Sequence, residues 1–339
     1  MVLAHIIDSW TRDADRKTEA FYTLFFIGGV ASPLFLFLAG MASAMSAASK
    51  ARREGTDAAG AVQARRRGWE IFALGLVFRV QAQLLGMGPL TNMLKVDMLN
   101  TMGLSIVITS YIWQWGRHHR SRIAWLAAAT VAVAMFTPLV RATPLLAAVP
   151  DPIEAYLRPA TSYSAFPLLP WAGFLFAGGM VGALVDVVRT APRRQFLLQV
   201  GIAVSAVLGV WLAWHASFQP SIYEHASFWY DSPTFFFIRL GLVAMLVPAA
   251  WLIELVVPAR GLQPIAVFGR SSLFVYWIHV EMVYGVIAEP IKRGLPLWGS
   301  LVGTALLAFG LYLLVLLKNR LLERFELRGP FRLLAPVIR

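Results

Sequence analysis

FGRSSLFVYWIHVEMVY, residues 268–284, sets a histidine and a glutamate inside a segment otherwise composed for lipid. An ionisable side chain at membrane depth is costly and must face protein or a water-filled cavity, so His279 is first of all a candidate site residue. At 3.6 residues per turn Ser272, Tyr276 and His279 share one helix face, with Glu281 and Tyr284 together on another. The plainer alternative is that His279 only hydrogen-bonds to a neighbouring helix, as polar groups between membrane helices commonly do.

The rest of the chain makes that membrane setting firm. Its 339 residues are 58% hydrophobic and 14% charged, with a mean hydropathy of +0.65, well above the apolar share of a soluble domain. The net charge of +12 comes from short basic clusters between long apolar runs, which fits orientation in a bilayer better than a nucleic-acid partner. With no cysteine, disulfides and thiolate chemistry are excluded. The six histidines form no HxxxH or HExxH pair, so no metal is expected. The start, MVLAHIIDSW, lacks the basic n-region and cleavage site of a signal peptide.

A helix needs about 20 apolar residues to cross a bilayer. Nine runs qualify, at 21–48, 68–87, 95–115, 123–141, 167–188, 195–215, 234–257, 265–288 and 297–318. Lysine and arginine collect in every second connection: Lys50 to Arg67, Arg117 to Arg122, Arg189 to Arg194, Arg260 to Arg270, and the tail from Lys318. These connections are expected in the cytoplasm, and those around Gly88, Pro150, Tyr223 and Pro290 outside. The first full run then begins outside, so MVLAHII reads as the last turns of an earlier helix, and one further helix is expected upstream. The fold class is therefore all-α: a polytopic integral membrane bundle of nine full transmembrane helices plus the end of a truncated first one. A membrane domain is expected over 1–318, and a basic amphipathic cytoplasmic tail lying on anionic lipid over 319–339.

Several polar residues recur at one depth. The run at 68–87 carries Arg79, Gln81 and Gln83, and the next opens with Asp97 and Asn100 on one face. An Arg79–Asp97 pair would cancel both charges, and a purely structural ion pair explains it as well as a site does. Pro33 is expected to kink the first run, which its Gly, Ala and Ser content makes a central, closely packed helix. Trp171 and a row of glycines follow Pro167 and Pro170, read as an interfacial anchor and a packing face. The aromatic segment HASFQPSIYEHASFWYDSPTFF, residues 215–236, precedes Arg239. It would either stack on a sugar ring or lie in the membrane interface, anchoring being the safer reading for Trp229 and Tyr230.

Together MVLAHIIDSW, SPLFLFLAG, FPLLPWAGFLFAGGMVG and GRSSLFVYWIHV, with DMLNTMGL, resemble the heparan-alpha-glucosaminide N-acetyltransferase-like membrane proteins of the transmembrane acyltransferase superfamily. The likeness runs nearly end to end, and the order of the motifs is more specific than any one of them. It departs from the family where an acidic residue followed by Arg-Gly would stand in helix one. The resemblance implies a multi-pass protein of the bacterial cytoplasmic (inner) membrane that transfers an acyl group, typically acetyl from acetyl-CoA, to a sugar amine or hydroxyl of a cell-envelope glycan or glycolipid. Acyl transfer needs a base or a nucleophile and a stabilised oxyanion. His5 is expected as base or transient acyl carrier, oriented by Asp8 or Asp97, with Arg79 or Arg239 meeting negative charge and His279 lining the same cavity. Gln83, Asn100, Trp171 and Tyr276 are the further substrate-binding candidates, and Arg270 and Arg67 are expected to meet CoA phosphates. Membrane lipids are the surrounding partners, and the small-residue faces would suit a homodimer. The rival functions are a transporter or flippase of a lipid-linked or small sugar precursor, and a scaffold without a small-molecule site.

Overall fold

The computed structural model describes residues 1–85, 90–116, 118–159 and 164–324. Apart from two isolated bridges and short 3₁₀ turns, the regular structure among them is α-helix. In chain order the helices are α1 Val2–Trp10, α2 Glu19–Gly29, α3 Ala31–Glu54, α4 Asp57–Leu85, α5 Met98–Trp115, α6 His119–Ala142 and α7 Asp151–Glu154. There follow α8 Leu168–Val188, α9 Pro192–Ala216, α10 Pro233–Val256, α11 Ala259–Arg270, α12 Ser272–Tyr284 and α13 Leu297–Arg324.

Among the described residues six helical segments are long and apolar enough to cross a membrane: Glu19–Glu54, His119–Ala142, Leu168–Val188, Pro192–Ala216, Pro233–Val256 and Leu297–Leu322. This is a multi-pass membrane protein, though the nine spans expected from sequence are not all met by that measure. The runs at 68–87 and 95–115 are helical over 68–85 and 98–115 but more polar. In α5 the polarity has a clear use: Ser105 and Thr109 donate to the carbonyls of Thr101 and Ser105, one turn back, and both hydroxyls are buried. Such a helix is surrounded by protein, and its side chains need not please lipid.

The run at 265–288 requires a correction, because it is two helices broken at Ser271. The Ser271 hydroxyl accepts from the Lys318 ammonium at 2.8 Å, and that ammonium also lies over the Phe274 ring at 5.4 Å. At 1.5 Å per residue the 13 residues of α12 cover only about 20 Å, too short to cross alone. A half-length helix at this depth is tolerated when protein satisfies its ends. Pro33 acts as expected: α2 stops at Gly29 and α3 begins at Ala31, where the proline ring would clash with the carbonyl four residues back. The basic connection Lys50 to Arg67 is hardly a loop, since α3 and α4 extend through it and turn at Gly55, whose φ of 69° suits glycine.

The chain divides into two compact units. One comprises Met1–Ala31, Gln81–Met87 and Leu252–Arg339; the other comprises Ser32–Val80 and Gly88–Trp251. The tail expected from 319 continues α13 as far as Arg324, and residues 325–339 lie outside the described part.

In the first unit Ile6 and Trp10 of α1 pack with Val283 of α12 and Leu307 and Leu311 of α13. In the second, α8 is the most enclosed of the six spans, 61% buried, against 28% for the span containing α3, the run read as central. Its glycines allow this. A methyl group built on Gly178 would overlap the carbonyl oxygen of Phe37, and one on Gly40 that of Leu175, so the α3 and α8 backbones touch. Outward faces are apolar: Val204, Leu208, Trp211 and Leu212 of α9 are each about half exposed or more, as helices bordered by lipid require.

Candidate active site

In the first unit α1 and α12 bring two histidines together. The rings of His5 and His279 stack with centroids 5.0 Å apart and planes 21° apart. Tyr276, one turn before His279, meets it edge-on at 5.8 Å. Tyr284 lies 5.4 Å from the His5 ring, so the two sides of α12 separated by periodicity both reach the same α1 histidine. The register of α1 is pinned by Ser9 and Trp10, which donate from Oγ and Nε1 to the Val283 carbonyl, each at 3.1 Å.

His279 is 1% exposed. Its Nδ1 lies 2.7 Å from the Val275 carbonyl oxygen. A carbonyl can only accept, so this nitrogen carries hydrogen, and in the neutral ring Nε2 carries the lone pair. Among the described residues, His279 Nε2 and His5 Nδ1 are buried without a hydrogen-bond partner. Buried polar atoms are nearly always satisfied, and exceptions concentrate where chemistry is done.

Asp8 sits one turn after His5 but serves other partners. Tyr284 donates to its Oδ2 at 3.0 Å. Arg16 reaches its Oδ1 at 3.4 Å and its backbone carbonyl at 2.5 Å. Sequence reasoning had not singled out Tyr284 and Arg16 as site residues. Arg16 carried a usable signal: Arg12, Arg16 and Lys17 fall in a connection that the charge alternation puts outside, where basic residues are depleted. Gln81 also belongs to this unit and accepts from Trp277 Nε1 at 2.8 Å. Gln83, two residues on, is half-buried.

The other sequence candidates divide among separate places. In the second unit Arg79 Nη2 lies 3.2 Å from Asp97 Oδ2, forming the anticipated pair. Asp97 is also the N-cap of α5, accepting from the Met98 amide at 2.5 Å. The Asn100 carbonyl oxygen accepts from the Asp97 amide, and its amide nitrogen donates to the Phe72 carbonyl, both at 3.2 Å. Asp97 and Asn100 are thus occupied in building the start of α5. The Arg239 guanidinium lies over Trp171 at 5.5 Å and Phe235 at 5.0 Å.

Arg67 pairs with Glu70 at 3.4 Å. Arg270, exposed at the end of α11, belongs to the other unit. A better-enclosed basic site lies at the arginine-rich end of the second unit. There Arg52, Arg122 and Arg189 line a cavity of about 440 Å³ with His119 and Asp186. Arg52 binds Asp186 at 2.6 Å and Arg122 binds Asp57 at 2.7 Å. No group of three or more acidic, histidine or cysteine side chains among the described residues is placed to hold a metal ion.

The family model for the catalytic region of heparan-alpha-glucosaminide N-acetyltransferase matches residues 1–212. The chain belongs to that family. No curated protein and no solved structure matches it. The matched part of this acetyltransferase-family chain holds His5, Asp8, Arg79, Asp97, Asn100 and Trp171, while Tyr276, His279 and Tyr284 lie beyond it. Half of the histidine cluster is therefore supplied by a segment outside the family match.

Proposed function

We propose that the protein is a membrane acetyltransferase that moves an acetyl group from acetyl-CoA to a sugar amine or hydroxyl of a cell-envelope glycan or glycolipid, with its chemistry at His5 and His279. The observation that carries this reading is the stacked pair of half-buried His5 and buried His279, in which His5 Nδ1 and His279 Nε2 lack protein partners. A neutral imidazole nitrogen takes the proton of the acceptor as its oxygen or nitrogen attacks the thioester carbonyl. The carbon–sulfur bond then breaks, and CoA leaves as a thiolate that the imidazolium reprotonates. If His5 instead carries the acetyl group, attack on the thioester comes first and the acceptor then takes the group from the ring.

Tyr284 and Arg16 hold Asp8 beside this pair. The hydroxyl and the guanidinium are groups suited to charge developing on the carbonyl oxygen. The CoA phosphates would be met by Arg270 of the first unit or by the cavity of Arg52, Arg122 and Arg189 in the second. We assign Asp97 and Arg79 to structural support.

The test is incubation of the purified protein in detergent with acetyl-CoA labelled on the acetyl group, with and without amino sugars, beside His5→Ala and His279→Ala. Label transfer or CoA release by the parent and not by His5→Ala supports the reading. Absence of both, together with no binding of acetyl-CoA, rejects it in favour of transport, which needs no thioester and would be read in sealed vesicles. CoA release without acceptor separates the carrier route from direct attack.

A further inference from the structure

A large cavity lies within the second unit and is not used by the histidine chemistry. It is a groove of about 930 Å³ between α8, α9 and α10, floored by Phe37 of α3. Along α9 its lining runs from Leu198 to Ala216, about 27 Å at the helical rise, close to the thickness of about 30 Å of a bilayer's hydrocarbon core. Val181, Ile202 and Phe237 give it apolar walls. Because the lining helices are membrane spans, what enters from the side is hydrocarbon, not water.

The two ends differ. Away from the arginines of the α8–α9 connection, the groove ends among Ser217, Gln219, Ser221, Ser232 and Thr234. The mouth is closed on one side by Tyr223, whose hydroxyl donates to the Met135 carbonyl at 2.8 Å. Beside it Phe228, Trp229 and Phe235 form a cluster with ring centroids 5.0–5.1 Å apart, with Trp229 60% and Tyr230 72% exposed. None of the residues lining the groove is charged. A phosphate headgroup would find no cation in this lining, whereas a sugar finds hydroxyl and amide partners and aromatic faces.

We propose that this groove binds a neutral glycolipid, with one hydrocarbon chain between α8, α9 and α10 and the sugar at the mouth under the aromatic segment. This names the acceptor class for the proposed acetyl transfer. It rests on that reading for the fate of the sugar, and on the groove alone for the binding.

Gly201 and Gly209 offer a clean perturbation, since both line the groove and a Cβ added at either meets nothing within 4 Å. Phenylalanine there would fill the groove without pushing on the backbone. The protein is placed in phosphatidylcholine nanodiscs containing either a monoglucosyl diacylglycerol or a phosphatidylglycerol, each with a diazirine in one acyl chain, and cross-linked peptides are identified by mass spectrometry. The expected result is several-fold higher labelling of α8–α10 by the glucosyl probe. That labelling should be lost in Gly201→Phe and Gly209→Phe and kept in Gly310→Phe, a glycine of α13 that is likewise open. Equal labelling by phosphatidylglycerol, or labelling indifferent to the groove-filling variants, overturns the proposal. His5-dependent release of CoA, measured on the same preparation, reports the acetyltransferase reading separately, so either can fail alone.

Discussion

Removing the carboxylate of Asp97 should be among the most damaging single changes in the second unit, for a reason independent of catalysis. The Asp97 side chain is 5% exposed and that of Arg79 19%, so the variant leaves a guanidinium in a low-dielectric site without its counter-charge, a loss of about 3–5 kcal/mol. Asp97→Ala also forfeits the α5 cap, typically about 1 kcal/mol. The sum, about 4–6 kcal/mol, would lower the melting temperature by roughly 10 °C or more at about 2–4 °C per kcal/mol. Asp97→Asn should cost less, because an amide oxygen can still cap the helix. The decisive member is Arg79→Met combined with Asp97→Asn: with both charges gone, stability should recover well above that of Asp97→Asn alone. Melting is followed in detergent by fluorescence-detected size exclusion, with acetyl transfer assayed beside it. A double variant no more stable than Asp97→Asn would refute the ion-pair argument. A folded, stable double variant lacking activity would return Asp97 to the reaction.

His5→Ala and His279→Ala should each lower turnover by about 10²–10⁴-fold in protein that still elutes as the parent does; full activity in both would remove the histidine pair from the chemistry. Gly178→Leu should fail to yield folded protein, because its first side-chain carbon would already overlap the Phe37 carbonyl oxygen; a monodisperse product would show that α3 and α8 can separate. The Leu297 amide holds the half-buried Asp15 carboxyl below its ordinary range. A depressed carboxyl stabilises the fold above its unfolded pKa of about 3.9, and that contribution fades as pH falls through the lower folded value. Acidification from pH 5 to pH 3 should therefore cost the parent more melting temperature than Asp15→Asn; equal losses would show that the cap at the start of α13 carries no such linkage.

Much was legible in the sequence because lipid imposes strict terms. Six of the runs counted from composition became helices fit to span a membrane. The cost of charge at depth drew attention to His279, which is buried, and to an Arg79–Asp97 pair, which forms, and Pro33 to the break before α3. The sequence could not say which helix is central. In a membrane bundle both the core and the lipid face are apolar, so no amphipathic stripe separates α8 from the first run, and only burial in the folded protein, 61% for α8 against 28% for the span containing α3, sets them apart.

Periodicity also orders side chains around one helix without saying what stands opposite. It put His279 and Tyr284 on different sides of α12, and His5 reaches both because α1 packs across that helix. The break at Ser271 was hidden for a similar reason. It depends on Lys318, 47 positions away, whose ammonium meets the Ser271 hydroxyl in the folded protein. Asp8, held by Arg16 and Tyr284, follows the same rule. Composition determined that the chain lies in a membrane and which residues are expensive there, while the pairing that makes their burial tolerable exists only once distant helices have met.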